Sequence, residues 1–464
     1  MKCYLIRNCI RFLSTGQHIL KVCIVGSGPA GFFAAQQILK KLDNVRIDIL
    51  EKLPVPFGLA RFGIAPDHPE VKNVTNRFHR IATNPHVQFL GNVNVGTDVT
   101  VDQLRDFYHA VLLTYGAPED QLLNIPGENL NNMISGRRFI GWYNGLPSDK
   151  DLDINLDVEE VIVIGQGNVA MDITRILLTS VDKLKNTDIT SFALERLSCS
   201  KVQKVSMVGR RGPLQAAFTI KELRELLKLE KCKKVWRPQD FTGVRDIVPT
   251  LSRPRKRLME LMLKSLEEPE NDDIFFKFRE VNLIFLRSPV EFHGYNELQS
   301  VRFAMNYLRG DKIEDQIAEA TGEFETIPCG LALRSIGFRT IQIDSSIPFD
   351  TSKGRVVNTD GKVDGNLYSA GWAATGPVGV LLQTMTNAFQ VANLVCKELA
   401  SSTENKMGFD GVYNILNAKG IQIVSYEDWQ KIDRVEQERG KKLGKKREKI
   451  VDIAEMLEIA KGAI

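Results

Sequence analysis

One local pattern constrains this chain more than any other, because it occurs twice. A short apolar strand runs into a glycine-rich turn, and the turn opens a helix. In the first copy Lys21-Val-Cys-Ile-Val25 leads into Gly26-Ser-Gly28-Pro-Ala-Gly31 and a helical stretch over 32–42. A second apolar run over 45–50 ends in Glu51, 25 residues after Gly26. In the second copy an apolar run over 158–164 leads into Gly165-Gln-Gly167-Asn-Val-Ala170-Met-Asp172 and a helix over 173–178. The matching strand, 202–208, ends in Gly209-Arg210-Arg211-Gly212, and 179–200 reads as an insertion before it. Strands this uniformly apolar belong to parallel sheets covered on both faces.

Each residue of the turn has a physical task. The first glycine allows the tight turn, the second lets the backbone approach a pyrophosphate, and the third lets helix and strand pack closely. Free N–H groups and the dipole at the helix N-terminus favour the phosphates. The fingerprint tolerates Ala170 in the third position. The charge at the end of the second strand separates the copies. Glu51 is placed to accept hydrogen bonds from a ribose diol, which suits FAD. Arg210 and Arg211 stand where such an acid would sit. Guanidinium forks bind a 2′-phosphate that a carboxylate would repel, so this site should take NADP(H). The pair also fits a solvated basic turn. Two dinucleotide folds in one chain imply hydride transfer from nicotinamide to flavin.

Length and composition bound the rest. A chain of 464 residues supports two or three domains. No apolar run is long enough to span a bilayer, which leaves peripheral association with an inner membrane open. The seven cysteines include no CxxC pair, arguing against a zinc site, a cluster site or a dithiol. Residues 201–264 carry 17 Lys/Arg against 6 Asp/Glu, whereas the other 400 residues carry 44 against 51. The basic segment should attract anions, nucleic acid or an acidic protein. No recognition motif or interleaved aromatic run accompanies it, so nucleic acid is not expected. Residues 1–20 hold Lys2, Arg7 and Arg11 with no acid, the composition of a mitochondrial transit peptide. The stretch 363–370 reads as a strand ending at Gly371-Trp372. A small-residue turn over 373–381 then enters a helix over 382–394. The basic run 441–449 fits a flexible tail or an aid to docking.

Several longer runs are more specific than the glycine turns: Glu51-Lys-Leu-Pro-Val-Pro-Phe-Gly58, Arg61-Phe-Gly-Ile-Ala-Pro-Asp-His-Pro-Glu-Val-Lys-Asn73, Gly141-Trp-Tyr-Asn-Gly-Leu-Pro147 and Val208-Gly-Arg-Arg-Gly-Pro213. With both fingerprints they resemble the mitochondrial adrenodoxin reductase family, the adrenodoxin-type ferredoxin–NADP reductases, from about residue 20 to the C-terminus. The resemblance implies FAD contacts at Ala30, Glu51, Leu59, Val95, Trp372 and Gly379-Val380-Leu381. It implies NADP contacts at Gln166, Gly167, Asn168, Val169, Arg210, Arg211, Glu222 and Gly379. Glu222 would not be chosen from the residues alone, since 218–229 reads as an ordinary charged helix. The family engages the acidic face of a [2Fe–2S] ferredoxin through positions matching Arg253 and Arg257. This chain departs from the family at Ala373-Ala374-Thr375, where basic residues are common.

The expected architecture is α/β, with two Rossmann-like dinucleotide-binding domains. Residues 1–20 form the transit peptide and 21–150 the first part of the FAD domain. Residues 151–344 form an inserted NADP domain, and 345–464 complete the FAD domain and the tail. The expected activity is that of an NADPH:ferredoxin oxidoreductase in the mitochondrial matrix, serving P450s or iron–sulfur cluster assembly. An NADPH-oxidising module of the glutamate synthase type is the enzymatic alternative, and a nucleotide-binding scaffold without turnover the other. No metal is expected. His68 and Asp172 are candidates for proton handling or positioning near the flavin. They equally fit a turn histidine and a helix acid favoured by the dipole.

Overall fold

The computed structural model describes residues 18–268 and 279–462. Most of the expected transit peptide, residues 1–17, lies outside the described residues, and Leu20 already begins the first strand. The described chain divides into two compact units. One comprises the residues up to Pro56, Arg77–Gly116 and Gln342–Tyr426. The other comprises Phe57–Asn76, Ala117–Ile341 and the residues from Glu427 onward.

The first unit is built on a six-stranded sheet. Its order is Lys362–Asp364, Leu367–Ser369, Ala110–Leu113, Leu20–Val25, Val45–Glu51 and Val87–Gly91. All neighbours are parallel except the first pair. Val25 lies opposite both Leu50 and Leu113, so strands diverge in chain order on either side of Leu20–Val25. The crevice outside that strand's C-terminal end is where an open α/β sheet binds ligands, and Gly26 begins there. Helix Pro29–Lys41 covers one face through Phe32, Phe33 and Ile38, all buried. Phe32 stacks on Phe78 at 5.1 Å, and Phe33 meets Phe389 of helix Leu381–Leu399 edge-on at 6.1 Å.

The second unit repeats the plan. Its sheet runs Met133–Ser135, Leu331–Arg334, Glu160–Ile164, Lys204–Val208, Arg279–Ile284 and Cys232–Trp236, all parallel. Glu160–Ile164 is again the strand at which the order reverses, and Gly165 comes directly after it. A three-stranded antiparallel sheet, Arg287–Gly294, Leu298–Arg309 and Ile317–Pro328, packs Phe292, Val301 and Phe303 beneath it. The expected insertion forms helices Val181–Leu184 and Ser191–Ser198. Leu184, Ile189 and Ala193 there join the core. No helix among the described residues is long and apolar enough to cross a membrane.

Three expectations need adjusting. The stretch 363–370 is not one strand. Gly365, at φ +48°, folds it into a hairpin of Lys362–Asp364 and Leu367–Ser369, and Asn366 ties the bend to the Arg105 and Tyr108 carbonyls at 2.9 Å. The unit boundaries also run differently from the expected segments. Residues 57–76 and 117–150 go with the second unit, the latter because Met133–Ser135 pairs with Leu331–Arg334.

The basic run 441–449 is displayed only in part: Lys441, Lys442 and Lys446 are exposed, but residues from Glu427 onward also belong to the second unit. Lys445 and Lys449 are buried. Lys445 donates to the Ile189 carbonyl at 2.7 Å, and Lys449 pairs with Asp188 at 3.1 Å, which also holds Lys72. Arg447 bonds Asp433 and Glu436, and Glu436 bonds Arg61 at 2.5 Å. Buried charges persist only when paired in this way. Here they fasten the C-terminal chain to the second unit.

Candidate functional site

The two glycine turns share their engineering. Gly26 sits at φ +104°, and a Cβ there would come within 2.8 Å of the Thr114 carbonyl oxygen. Gly165, at φ +130°, would place one 2.0 Å from the Ser335 carbonyl oxygen. Neither position can hold another residue without moving a neighbouring strand. Gly31 is equally closed, its Cβ meeting the Gly26 carbonyl oxygen at 2.2 Å. The middle glycines are different. A Cβ on Gly28 or on Gly167 would meet nothing within 4 Å. Each caps its helix without a side-chain hydrogen bond, and neither helix has an acid in its first turn. The N–H donors at both helix starts therefore face open space without a competing carboxylate, the arrangement that a dinucleotide pyrophosphate fits.

Glu51 ends its strand beside the first turn. Its Oε2 accepts from the Ser27 N–H at 3.0 Å and the Ser27 hydroxyl at 2.7 Å, and Oε1 accepts from the Leu53 N–H at 3.1 Å. A carboxylate offers about four lone-pair sites, so this one is fixed in place with capacity left for a hydroxyl. Ala30 and Val95 are buried in the same unit. Trp372 opens the short helix Trp372–Thr375, and Ala373 and Ala374 behind it are buried. Gly379, at φ +86°, and Val380 are exposed at the start of helix Leu381–Leu399. Leu59 lies in the other unit, at the first position of helix Leu59–Phe62.

At the second turn, Gln166 turns its side chain inward. Its Nε2 donates to the Ile284 carbonyl at 2.8 Å and occupies the space a Cβ on Gly209 would need. Asn168 accepts from the Thr219 N–H at 2.9 Å, which docks the start of helix Ile220–Leu227 against the turn. Val169 packs against the core. Arg210 is exposed and Arg211 half-buried. Among the described residues no carboxylate pairs with either guanidinium. Helix Arg253–Glu267 lies further along the chain, with Arg253 and Arg257 in its first two turns and both exposed.

His68, Asp172 and Glu222, which the sequence leaves unconnected, meet in the second unit. His68 Nε2 lies 2.6 Å from Glu225 Oε2, and its Nδ1 4.0 Å from Asp172 Oδ1. Arg175 stands at the centre. It binds Asp67 through Nε and Nη2 at 2.6 and 3.0 Å, Asp172 at 2.8 Å, Glu222 at 3.4 Å and Glu225 at 3.7 Å. Burial, reinforced by Asp172, pushes the Glu222 carboxyl up to about 7, and burial also raises Asp172. Arg175 inside the cluster and Lys221, 3.7 Å from Glu225 at its edge, face four carboxylates, an excess of acid that can hold a proton near neutral pH. The donor atoms of His68, Asp172 and Glu222 lie within 4.8 Å of one another. Arg175 already supplies the positive charge there, so the set reads as an ion-pair cluster rather than a metal site.

Asp172 is thus not merely an acid favoured by a helix dipole, nor His68 a turn histidine bonded to backbone. Arg175, Asp67 and Glu225 were missed in the sequence. The available signal was spacing: Asp172 and Arg175 lie three apart on one helix, as do Glu222 and Glu225 on another, which puts each pair on one face.

Residues 24–90 match the family model of the NAD(P)-binding Rossmann-like domain. The chain is 49% identical to the mitochondrial NADPH:adrenodoxin oxidoreductase of Drosophila melanogaster, over 95% of this chain and 93% of that protein. It is 44% identical to that of Homo sapiens, over 96% and 93%. Among solved structures, Mycobacterium tuberculosis FprA in complex with NADPH superposes with a TM-score of 0.90 at 36% identity. The match covers 96% of this chain and all of that one. With two dinucleotide turns and 44–49% identity over nearly its whole length, the chain belongs to the family of mitochondrial NADPH:adrenodoxin oxidoreductases.

Proposed function

We propose that this FAD- and NADPH-dependent oxidoreductase draws reducing equivalents from NADPH and delivers single electrons to an acidic [2Fe–2S] ferredoxin. The observation that carries the reading is the contrast between the turns. One ends in a fixed carboxylate suited to a ribose, the other in two guanidiniums that no carboxylate among the described residues neutralises. Bound FAD supplies the conversion between two-electron and one-electron chemistry. The chain's own residues hold and orient. The N–H groups after Gly28 and Gly167 take the pyrophosphates, Glu51 fixes a ribose, and Arg210 with Arg211 selects the 2′-phosphate. Ala30, Leu59, Val95, Trp372 and Gly379-Val380-Leu381 line the FAD side. Gln166–Val169 and Glu222 line the NADP side. His68, whose Nε2 lies 2.6 Å from Glu225 Oε2, and Asp172 serve proton handling or positioning near the flavin. Family membership favours this reading over a glutamate-synthase-type module. The protein is mitochondrial, and we place it in the matrix, where such a ferredoxin serves P450s or cluster assembly.

Arg253 and Arg257 are the proposed ferredoxin dock. Both lie near the start of one helix and neither is buried, and arginines so placed steer and clasp carboxylates. The test begins with the purified flavoprotein under anaerobic conditions. The flavin absorbance should bleach with NADPH well before NADH, and an added [2Fe–2S] ferredoxin should then be reduced. Charge reversal at both positions, Arg253→Glu with Arg257→Glu, should cut ferredoxin reduction at least tenfold and leave ferricyanide reduction near wild type. Equal loss of both activities would sink the docking assignment. Bleaching without ferredoxin reduction in the wild type would move the search to another acceptor.

A further inference from the structure

Helix Arg253–Glu267 carries a third arginine in its first turn, and it points elsewhere. Arg255 is half-buried. Its Nη1 donates to the Ala216 carbonyl at 2.5 Å. Ala216 belongs to the loop that begins at Arg210 and Arg211. The same loop is tied to the second glycine turn by the Ala217 N–H, which donates to the Gln166 carbonyl at 3.1 Å, and by the Thr219 N–H on Asn168. Arg255 therefore reaches the back of the loop that presents the two phosphate-reading arginines.

Its electrostatic setting is unusual. Burial and the charge of Arg211 both depress its pKa, and no carboxylate among the described residues offsets them. Arg279, also half-buried, is likewise held by carbonyls, those of Leu178 and Thr179, but several other buried or half-buried arginines of the second unit are neutralised. Arg175 has Asp67, Asp172 and Glu222, Arg334 has Asp120 and Glu128, and Arg237 and Arg287 share Glu325. Guanidiniums held near one another without a protein anion are a standing repulsion that a bound dianion relieves. A backbone carbonyl occupies one Nη1 donor, and a guanidinium has five N–H groups, so Arg255 keeps donors for such an anion.

We propose that Arg255 is a third cation of the 2′-phosphate site, a residue that determines the preference for NADP(H) as well as bracing the Arg210–Arg211 loop. The inference rests on the NADP reading of that loop. Its chemistry is that of a phosphomonoester dianion on a ribose, which three arginines read better than two.

The experiment measures binding of two probes to the purified flavoprotein, 2′,5′-ADP and 5′-AMP, which differ only by the phosphate in question. Arg255→Met keeps the aliphatic stem and removes the charge. It should weaken 2′,5′-ADP about tenfold or more and change 5′-AMP less than twofold, so that KM for NADPH rises while kcat holds. Arg255→Lys, which keeps charge without the fork, should fall between. Equal weakening of both probes would make Arg255 a brace for the loop only and overturn the proposal. So would unchanged binding of both. Arg211→Met is the control for the underlying reading. If it leaves the preference for 2′,5′-ADP intact, the phosphate site itself is misassigned and Arg255 falls with it. If Arg211→Met abolishes the preference and Arg255→Met does not, the NADP reading stands and this inference alone fails.

Discussion

The two glycine turns are the same device in different surroundings. Both leave the C-terminal end of a strand where the sheet order reverses, and both open a helix with no side-chain cap. At the first, the neighbouring charge is a single carboxylate, pinned by Ser27 and Leu53. At the second, charge is divided. The helix behind the turn carries Asp172 and Arg175 into a buried acidic cluster, and the strand beside it ends in arginines that pair with no acid among the described residues. The backbone geometry thus makes a generic dinucleotide cradle, and the flanking side chains decide which dinucleotide and which proton chemistry.

The largest effect expected from breaking this difference lies at Arg175. Arg175→Met would leave Asp67, Asp172, Glu222 and Glu225 without their shared cation, a loss of about 3–5 kcal/mol at neutral pH. The sign with pH comes from the raised carboxyls. A carboxyl with a folded pKa above its unfolded one makes the folded state bind the extra proton, so its stability contribution falls as pH rises through that interval. For Glu222 the interval runs from its ordinary 4.5 to about 7. The variant's deficit in Tm should therefore be smallest at pH 5 and largest at pH 8. A deficit independent of pH would show that Arg175 acts by packing alone.

A smaller effect separates the third positions of the two motifs. Gly31 cannot hold a Cβ, because the Gly26 carbonyl oxygen lies 2.2 Å from where it would sit, whereas Ala170 holds one in a buried site. Gly31→Ala should cost about 1–3 kcal/mol by overpacking and yield protein depleted of FAD. The reciprocal Ala170→Gly should cost only about 1 kcal/mol, the helix propensity difference, and keep its FAD. Urea unfolding and the flavin-to-protein absorbance ratio of the purified variants measure both. Equal behaviour of the two would mean that the motifs are interchangeable in packing.

How much of this was legible beforehand depends on the range of the interactions. The strand, turn and helix of each fingerprint were legible because their signal is local: apolar runs, glycines at fixed offsets and a charged residue at the next strand's end. The helices begin at Pro29 and Asn168, earlier than expected, because residues inside the turn itself adopt helical geometry. The acidic cluster was not legible as a cluster, since Asp67 and His68, Asp172 and Arg175, and Glu222 and Glu225 come from three separate segments that only the fold brings together. The tail misled for the same reason. Of its six positive charges in nine residues, Lys441, Lys442 and Lys446 are solvated as they look, whereas Lys445, Arg447 and Lys449 meet Glu448, Asp433, Glu436 and Asp188. The hairpin at Gly365 is the opposite case, since the Asp364-Gly365 pair marks a turn locally and the single-strand reading of 363–370 passes over it.

The smallest effect on stability, and the sharpest on function, belongs to the middle glycines. Gly28 and Gly167 both have extended backbone at their caps, with ψ of −175° and 177°, and open space where a side chain would go. The protein's own packing gives no reason for glycine at either place. If the reason is the approach of a pyrophosphate, alanine should leave the apoprotein's Tm within about 1 °C, as expected where a substitution touches no packed neighbour. Cofactor binding should fall instead, and in a divided way. Gly28→Ala should weaken FAD retention and leave 2′,5′-ADP binding alone, because that probe occupies the second site. Gly167→Ala should raise KM for NADPH with FAD content unchanged. Cross-talk, with either substitution impairing both cofactors, would mean that the two cradles are not independent devices despite their separate sheets.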